Sequence, residues 1–261
     1  MDKEQKPDYE ILDKPEITDY LFHPRKEESY RKLTEKDLMI PVDDNVLVGA
    51  CFHLAEKAAP NILFFHGNGE IVADYDDIGR LYNNMGINFI VVDYRGYGRS
   101  NGSPSVSTMM RDCHLLLDAV KSHLDETGFK APISVMGRSL GSASALELAA
   151  TESNHIKSLI IESGFARTEP LLSILGINAA AMGFKEEKGI CNIDKIGRWK
   201  GPTLIIHGEF DHIIPFAEGE ALYNASPAKK KTLLKIPNAN HNNIFFEGMK
   251  IYLNAIKNLV C

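Results

Sequence analysis

The sequence predicts an α/β fold: an antiparallel start followed by a mostly parallel, doubly wound sheet with helices on both faces. Three observations predict it. Short runs that are apolar at nearly every position recur along the chain, as strands covered on both faces require. Stretches with apolar residues at helical spacing separate them. The first two runs are joined by a turn too short for a crossover, so they pair antiparallel.

The elements follow in order. The first thirty residues are charged and contain Pro7, Pro15 and Pro24, and residues 1–35 are expected to form an arm lying on the domain. KDLMIPV (36–42) and VLVGACFH (46–53) read as two strands joined by the turn Asp43-Asp44-Asn45. NILFF (61–65) is a short apolar run that ends in glycine-rich sequence. INFIVVD (87–93), PISVMG (132–137), IKSLIIE (156–162), PTLIIHG (202–208) and KTLLKIP (231–237) repeat the pattern, for eight strands in all.

The clearest helix runs from about Val106 to Leu124. Val106, Met109, Met110, Cys113, Leu116, Leu117, Val120 and Leu124 share one face, with Arg111, Asp112, Asp118 and Lys121 between them. The methionines on that face read as core. One connection breaks the rhythm. From Ser163 to Gly201 about forty residues separate consecutive strands, too many for a simple crossover. They are expected to hold a crossover helix and a small lid at about 163–200. Its apolar stretch Leu171–Phe184 fits two readings, the wall of an acyl pocket and plain packing on the sheet.

Composition bounds the function. The chain has 261 residues, 44% hydrophobic and 25% charged, which suits one large domain at 36–261. Lys and Arg total 29 against 35 Asp and Glu, a net charge of −6, and this argues against nucleic acid as a partner. Cys51, Cys113, Cys191 and Cys261 form no CxxC pair, which points to free thiols rather than a disulfide framework or zinc site. The N-terminus MDKEQKPDYE lacks the basic start and apolar stretch of a signal peptide. No apolar run approaches the ~18 residues of a membrane helix. The expectation is a cytoplasmic protein with no integral membrane segment.

Chemistry concentrates at Gly137-Arg138-Ser139-Leu140-Gly141. The G-x-S-x-G pattern gains its meaning from context, because it follows the apolar strand ISVM and precedes the helix-forming SASALELAA. Such a tight strand-to-helix turn strains the central residue and lifts its hydroxyl above the sheet. A serine hydroxyl is a poor nucleophile at neutral pH and needs a base. His241, in the polar loop PNANHNN after the last strand, stands at the edge where open α/β sheets build their sites. The base needs a carboxylate to fix its tautomer. Asp211 in LIIHGEFDHIIP is preferred over the rival Glu162 in LIIESG. Glu209 is closer to the strand end, His212 points elsewhere, and His207 reads as a core histidine. In FFHGNGE (64–70), Gly67 and Gly69 permit close backbone approach. The backbone N–H of Asn68, with that of Leu140, could cradle an oxyanion. His66 reads as structural, and no Gly-Lys-Ser/Thr follows to make a nucleotide loop.

With these motifs in order the chain resembles the α/β-hydrolases, in which Ser139, Asp211 and His241 match the chain order of the triad. HGNG (66–69), DYRGYGRS (93–100), GRSLG (137–141), HGEFD (207–211) and NANHNN (238–243) carry the likeness, which covers about residues 36 to 260. It is greatest to the compact branch of small esterases, protein depalmitoylases and serine aminopeptidase-like proteins. The resemblance implies an α/β-hydrolase fold with a mostly parallel eight-stranded sheet and a small lid. It implies a serine hydrolase of acyl compounds, acting on a small-molecule ester or thioester with no cofactor and no metal. It also implies a structural part for Asp93 and Arg95 near the nucleophile. The chain departs from the depalmitoylases in having no cysteine before Cys51. Two other functions share these residues: a peptidase or amidase on the same triad, and a non-catalytic binding module.

Overall fold

The computed structural model of the protein describes residues 9–28 and 32–261. Pro7 and most of the N-terminal stretch on which the signal-peptide expectation rests lie outside the described residues, as do residues 29–31 of the predicted arm.

Eight strands form one sheet in the order β1-β2-β4-β3-β5-β6-β7-β8. β1 (Asp37–Asp43) and β2 (Val46–His53) make the expected hairpin, and β2 pairs antiparallel with β4 (Asn88–Val92). Every later pairing is parallel: β4 with β3 (Asn61–Phe65), then β5 (Ile133–Arg138), β6 (Ile156–Glu162), β7 (Thr203–Gly208) and β8 (Lys231–Ile236). The outermost strands carry Pro41 in β1, where the register shifts, and Lys231 and Lys235 in β8.

Strand alternation divides the core in two. Leu63, Phe65, Val135, Leu159 and Ile161 face a layer that includes α3 (Val106–Thr127), α4 (Ser142–Thr151), α6 (Asn192–Arg198) and α7 (Phe216–Ala225). Ile62, Phe64, Met136, Ile160 and Leu204 face α2 (Asp76–Asn84) and α8 (Ile244–Val260). α8 shows why a helix forms there: Ile244, Gly248, Tyr252, Ile256 and Val260 recur every fourth residue and are all buried.

In α3 the eight apolar positions read from the sequence are all buried. Ser105 caps it by accepting a hydrogen bond from the Thr108 N–H, and Gly128 ends it at φ 87°. Asp112 differs from its sequence reading as one of the polar residues between the apolar ones. It is buried, because Arg95 donates to it through Nε at 2.6 Å and Nη2 at 3.1 Å. Asp93 and Arg95 therefore take separate partners, since Asp93 binds His66 at 3.2 Å and the Val72 N–H at 2.9 Å.

Between β6 and β7 the chain forms α5 (Thr168–Ile174), two short 3-10 turns and α6. Leu172, Ile177, Ala179 and Phe184 in this stretch are buried, while Ile174 is exposed. Near the N-terminus, α1 (Pro15–Leu21) packs Ile17 and Leu21 into the larger core. Cys51, Cys113, Cys191 and Cys261 form no disulfide. Among the described residues no helix is long and apolar enough to cross a membrane.

Candidate active site

The turn after β5 is built around two glycines. A Cβ on Gly137 would lie 2.2 Å from the Gly141 carbonyl oxygen, and one on Gly141 would lie 2.1 Å from that of Phe65. Backbone atoms cannot step aside for a side chain, so only glycine fits at either place. Between them Ser139 sits at φ 51°, a left-handed conformation uncommon outside glycine. Ser142 Oγ donates to the Ser139 carbonyl at 2.6 Å and fixes the bend where it enters α4.

Asp211 lies three residues past β7. Its Oδ1 accepts the N–H groups of Ile213 at 3.0 Å and Ile214 at 2.8 Å. That leaves Oδ2 for His241, whose Nδ1 is 2.7 Å away. His241 Nε2 lies 3.1 Å from Ser139 Oγ. The structure thus brings these three side chains, 102 and 30 residues apart in sequence, into one buried line. The loop carrying His241 is held by Asn240, which receives the N–H groups of Asn242 and Asn243 on its side-chain oxygen. The Asp211 carboxyl is held well below the usual carboxylate range. Burial opposes the charge, but hydrogen bonds from His207, His241 and the Ile214 N–H outweigh it.

The other sequence candidates take separate places. Glu162 does not reach His241; its Oε1 accepts from Arg138 Nε at 3.1 Å and its Oε2 from Tyr252 at 2.5 Å. Glu209 accepts the Asn238 N–H and pairs with Lys235. His212 is exposed. His207 is fully buried, with Nε2 2.8 Å from the Ile214 carbonyl and 3.4 Å from Asp211.

Phe65 in β3 sits opposite Gly137 in β5, so the loops carrying Asn68 and Leu140 leave adjacent strands side by side. The Asn68 side chain is gripped from the N-terminal segment: its Oδ1 accepts the His23 N–H at 2.8 Å and Tyr97 Oη–H at 2.6 Å, and its Nδ2 lies 2.8 Å from His23 Nδ1. Arg25 donates to the Gly69 carbonyl at 3.1 Å and pairs with Asp74. His66 is buried and contacts the Gly67 carbonyl and Asp93.

Sequence reasoning missed Arg138. Its guanidinium joins Glu70, Glu162 and the backbone carbonyl of His241, the last at 2.8 Å. Glu70 also accepts the Gly67 N–H and Tyr75 Oη–H, both at 2.6 Å. Burial works against the Arg138 charge, yet the two carboxylates raise its pKa above the usual arginine value. Glu70 is lowered, since Arg138 and Tyr75 overcome its burial, whereas Glu162 is raised because burial prevails. The available signal was a charged residue at the end of a buried strand, which demands partners. Among the described residues, one group has metal-ligand chemistry: Cys51 and His53 on β2 with Asp76 at the start of α2, their donor atoms within 4.8 Å of one another.

The profile of the family described as serine aminopeptidase, S33, matches residues 56–186. Similar proteins include Protein bem46 of Schizosaccharomyces pombe, 28% identical over 71% of this chain and 62% of that one. Lysophosphatidylserine lipase ABHD12 of Xenopus tropicalis is 34% identical over 65% of this chain and 48% of that one. The chain therefore spans about half to two thirds of the length of these relatives. The solved Pyrococcus furiosus esterase Pf2001 aligns with a TM-score of 0.69 at 19% identity, covering 86% of this chain and 90% of that one, a likeness of fold.

Proposed function

The chain belongs to the serine aminopeptidase S33 family of the α/β-hydrolases, and from that premise we propose that it cleaves carboxylic esters or thioesters through an acyl-enzyme on Ser139. The observation that carries the proposal is the line of contacts from Ser139 Oγ to His241 Nε2 at 3.1 Å and from His241 Nδ1 to Asp211 at 2.7 Å. His241 takes the Ser139 proton as the oxygen attacks the carbonyl. Asp211 holds the Nδ1–H and offsets the positive charge of the imidazolium. The tetrahedral oxyanion is held by the N–H groups of Asn68 and Leu140. His241 then protonates the leaving alcohol or thiol, and water, activated by the same imidazole, releases the acid. These steps need no cofactor and no metal. In this reading residues 163–200 form the lid and the segment before residue 36 forms an arm on the domain.

Ser139→Ala is expected to lower hydrolysis of a short p-nitrophenyl ester by ~10³-fold or more with unchanged circular dichroism. Unchanged turnover in that variant would refute the assignment. A fluorophosphonate probe should label the wild-type chain at Ser139, and silence there would favour a binding module.

The description of the matched family favours a second reading, an amidase or peptidase on the same residues. The name of the ABHD12 relative supports an ester instead. Aminoacyl anilides set against simple esters separate the two.

A further inference from the structure

Between α2 and α8, against the sheet, lies an open cavity of about 370 Å³. Neither Ser139 nor His241 lines it. Seven of its fourteen lining residues are aromatic, with Tyr75, Phe89, Phe245, Phe246 and Tyr252 among them. Phe246 is 77% exposed, a large apolar ring left in solvent. The charged lining consists of Glu70, Asp74, Glu162 and Arg138. Asp74 is paired with Arg25. That leaves two carboxylates sharing one guanidinium, a net negative charge beside aromatic rings.

The hydrogen bonding of this cluster narrows the ligand. Both oxygens of Glu70 accept, from Arg138 on one side and from Gly67 N–H and Tyr75 on the other. Both oxygens of Glu162 accept, from Arg138 and Tyr252. A primary ammonium carries three N–H donors that lose their water on entry, and a lining that is half aromatic, with Ile78 and Met136 besides, replaces few of those bonds, which is costly. A quaternary ammonium has no N–H to satisfy. It gains from the negative field and from the ring faces together, the combination by which aromatic cages hold such ions.

We infer that this cavity is a binding site for an organic cation of the quaternary ammonium class. The inference is independent of the proposed hydrolysis. It is tested by calorimetric titration of the full chain at pH 8 with three probes of similar size: choline, its uncharged isostere 3,3-dimethyl-1-butanol, and ethanolamine. Choline should saturate and bind at least ~tenfold tighter than either of the others. Phe246→Ala, at the exposed ring, should weaken choline several-fold. Glu162→Gln should weaken choline and leave the uncharged isostere unaffected, with circular dichroism confirming the fold of both variants. No saturable binding of choline would overturn the inference. So would equal affinity for the isostere, equal affinity for ethanolamine, or choline affinity untouched by both variants.

Discussion

Arg138 binds on three sides at once, to Glu70, to Glu162 and to the main chain of His241. It holds the main chain of His241 and, in the proposed mechanism, touches no reacting atom. A lysine there keeps the charge but loses the planar fork. Arg138→Lys is expected to lower kcat ~10–100-fold with little change in KM, because sub-ångström misplacement of a reacting group costs rate rather than affinity. Steady-state kinetics on an ester check it, and a rise in KM alone would place Arg138 in substrate binding instead. Gly141 is a second single-residue test. A methyl group 2.1 Å from the Phe65 carbonyl forces backbone to move, so Gly141→Ala should destabilise by ~2–4 kcal/mol in urea unfolding. Ser139, Asp211 and His241 could be singled out as candidates because each stands in a local pattern near a strand end, and their side chains do meet in the structure. Glu70 and Arg138 were not, since the partners that explain their burial lie 68 and 103 residues away along the chain. Asp112 was misjudged for the same reason, because Arg95 approaches it from another element.

At the level of elements, most of what the sequence foretold concerns strands and the long helix. Apolar runs and helical spacing are short-range signals, and β3, β5, β6, β7 and α3 stand within a few residues of their expected bounds. The N-terminal segment was foreseen only as an arm. What it touches could not be read, for its contacts are long-range: Ile17 and Leu21 enter the larger core, and His23 and Arg25 bond to residues 44 or more positions on. The His23 bonds hold the side chain of Asn68, whose amide is proposed to face the oxyanion. The double variant His23→Ala/Arg25→Ala should therefore lower kcat on esters ~3–10-fold, a fraction of the loss seen when an oxyanion donor is removed outright. Unchanged kcat would reduce the segment to a cover. The N-cap of α3 offers a stability test: Ser105→Ala should cost ~1 kcal/mol in urea unfolding.

Across the whole molecule, acid sensitivity has a structural source where three helices meet. Glu147 on α4 binds Lys195 of α6 at 2.7 Å and lies 3.7 Å from His114 of α3. Burial opposes its charge, but bonds from His114 and Lys195 lower its pKa from 4.5 to about 2. A carboxylate lowered on folding stabilises the folded state above its unfolded pKa. That contribution, about 3 kcal/mol, is lost as pH falls from roughly 4.5 towards 2. Unfolding free energy should decline over that window, and Glu147→Gln should flatten the decline. His114 moves the other way. Its pKa is raised, chiefly by Glu147, so its contribution is full at low pH and fades as pH climbs through the raised value. Strand order was the least readable feature at this scale. The β4-β3-β5 sequence of neighbours follows from where right-handed crossovers return the chain, and no short window of residues encodes that.

The two outermost strands carry a final consequence. A bare sheet margin invites a foreign strand to dock, but a proline in β1 lacks an amide hydrogen and the paired lysines of β8 put positive charge along the opposite rim. Growth of the sheet by edge-to-edge addition is discouraged at both ends. Self-association through helix or loop surfaces is thereby favoured over strand addition at either margin.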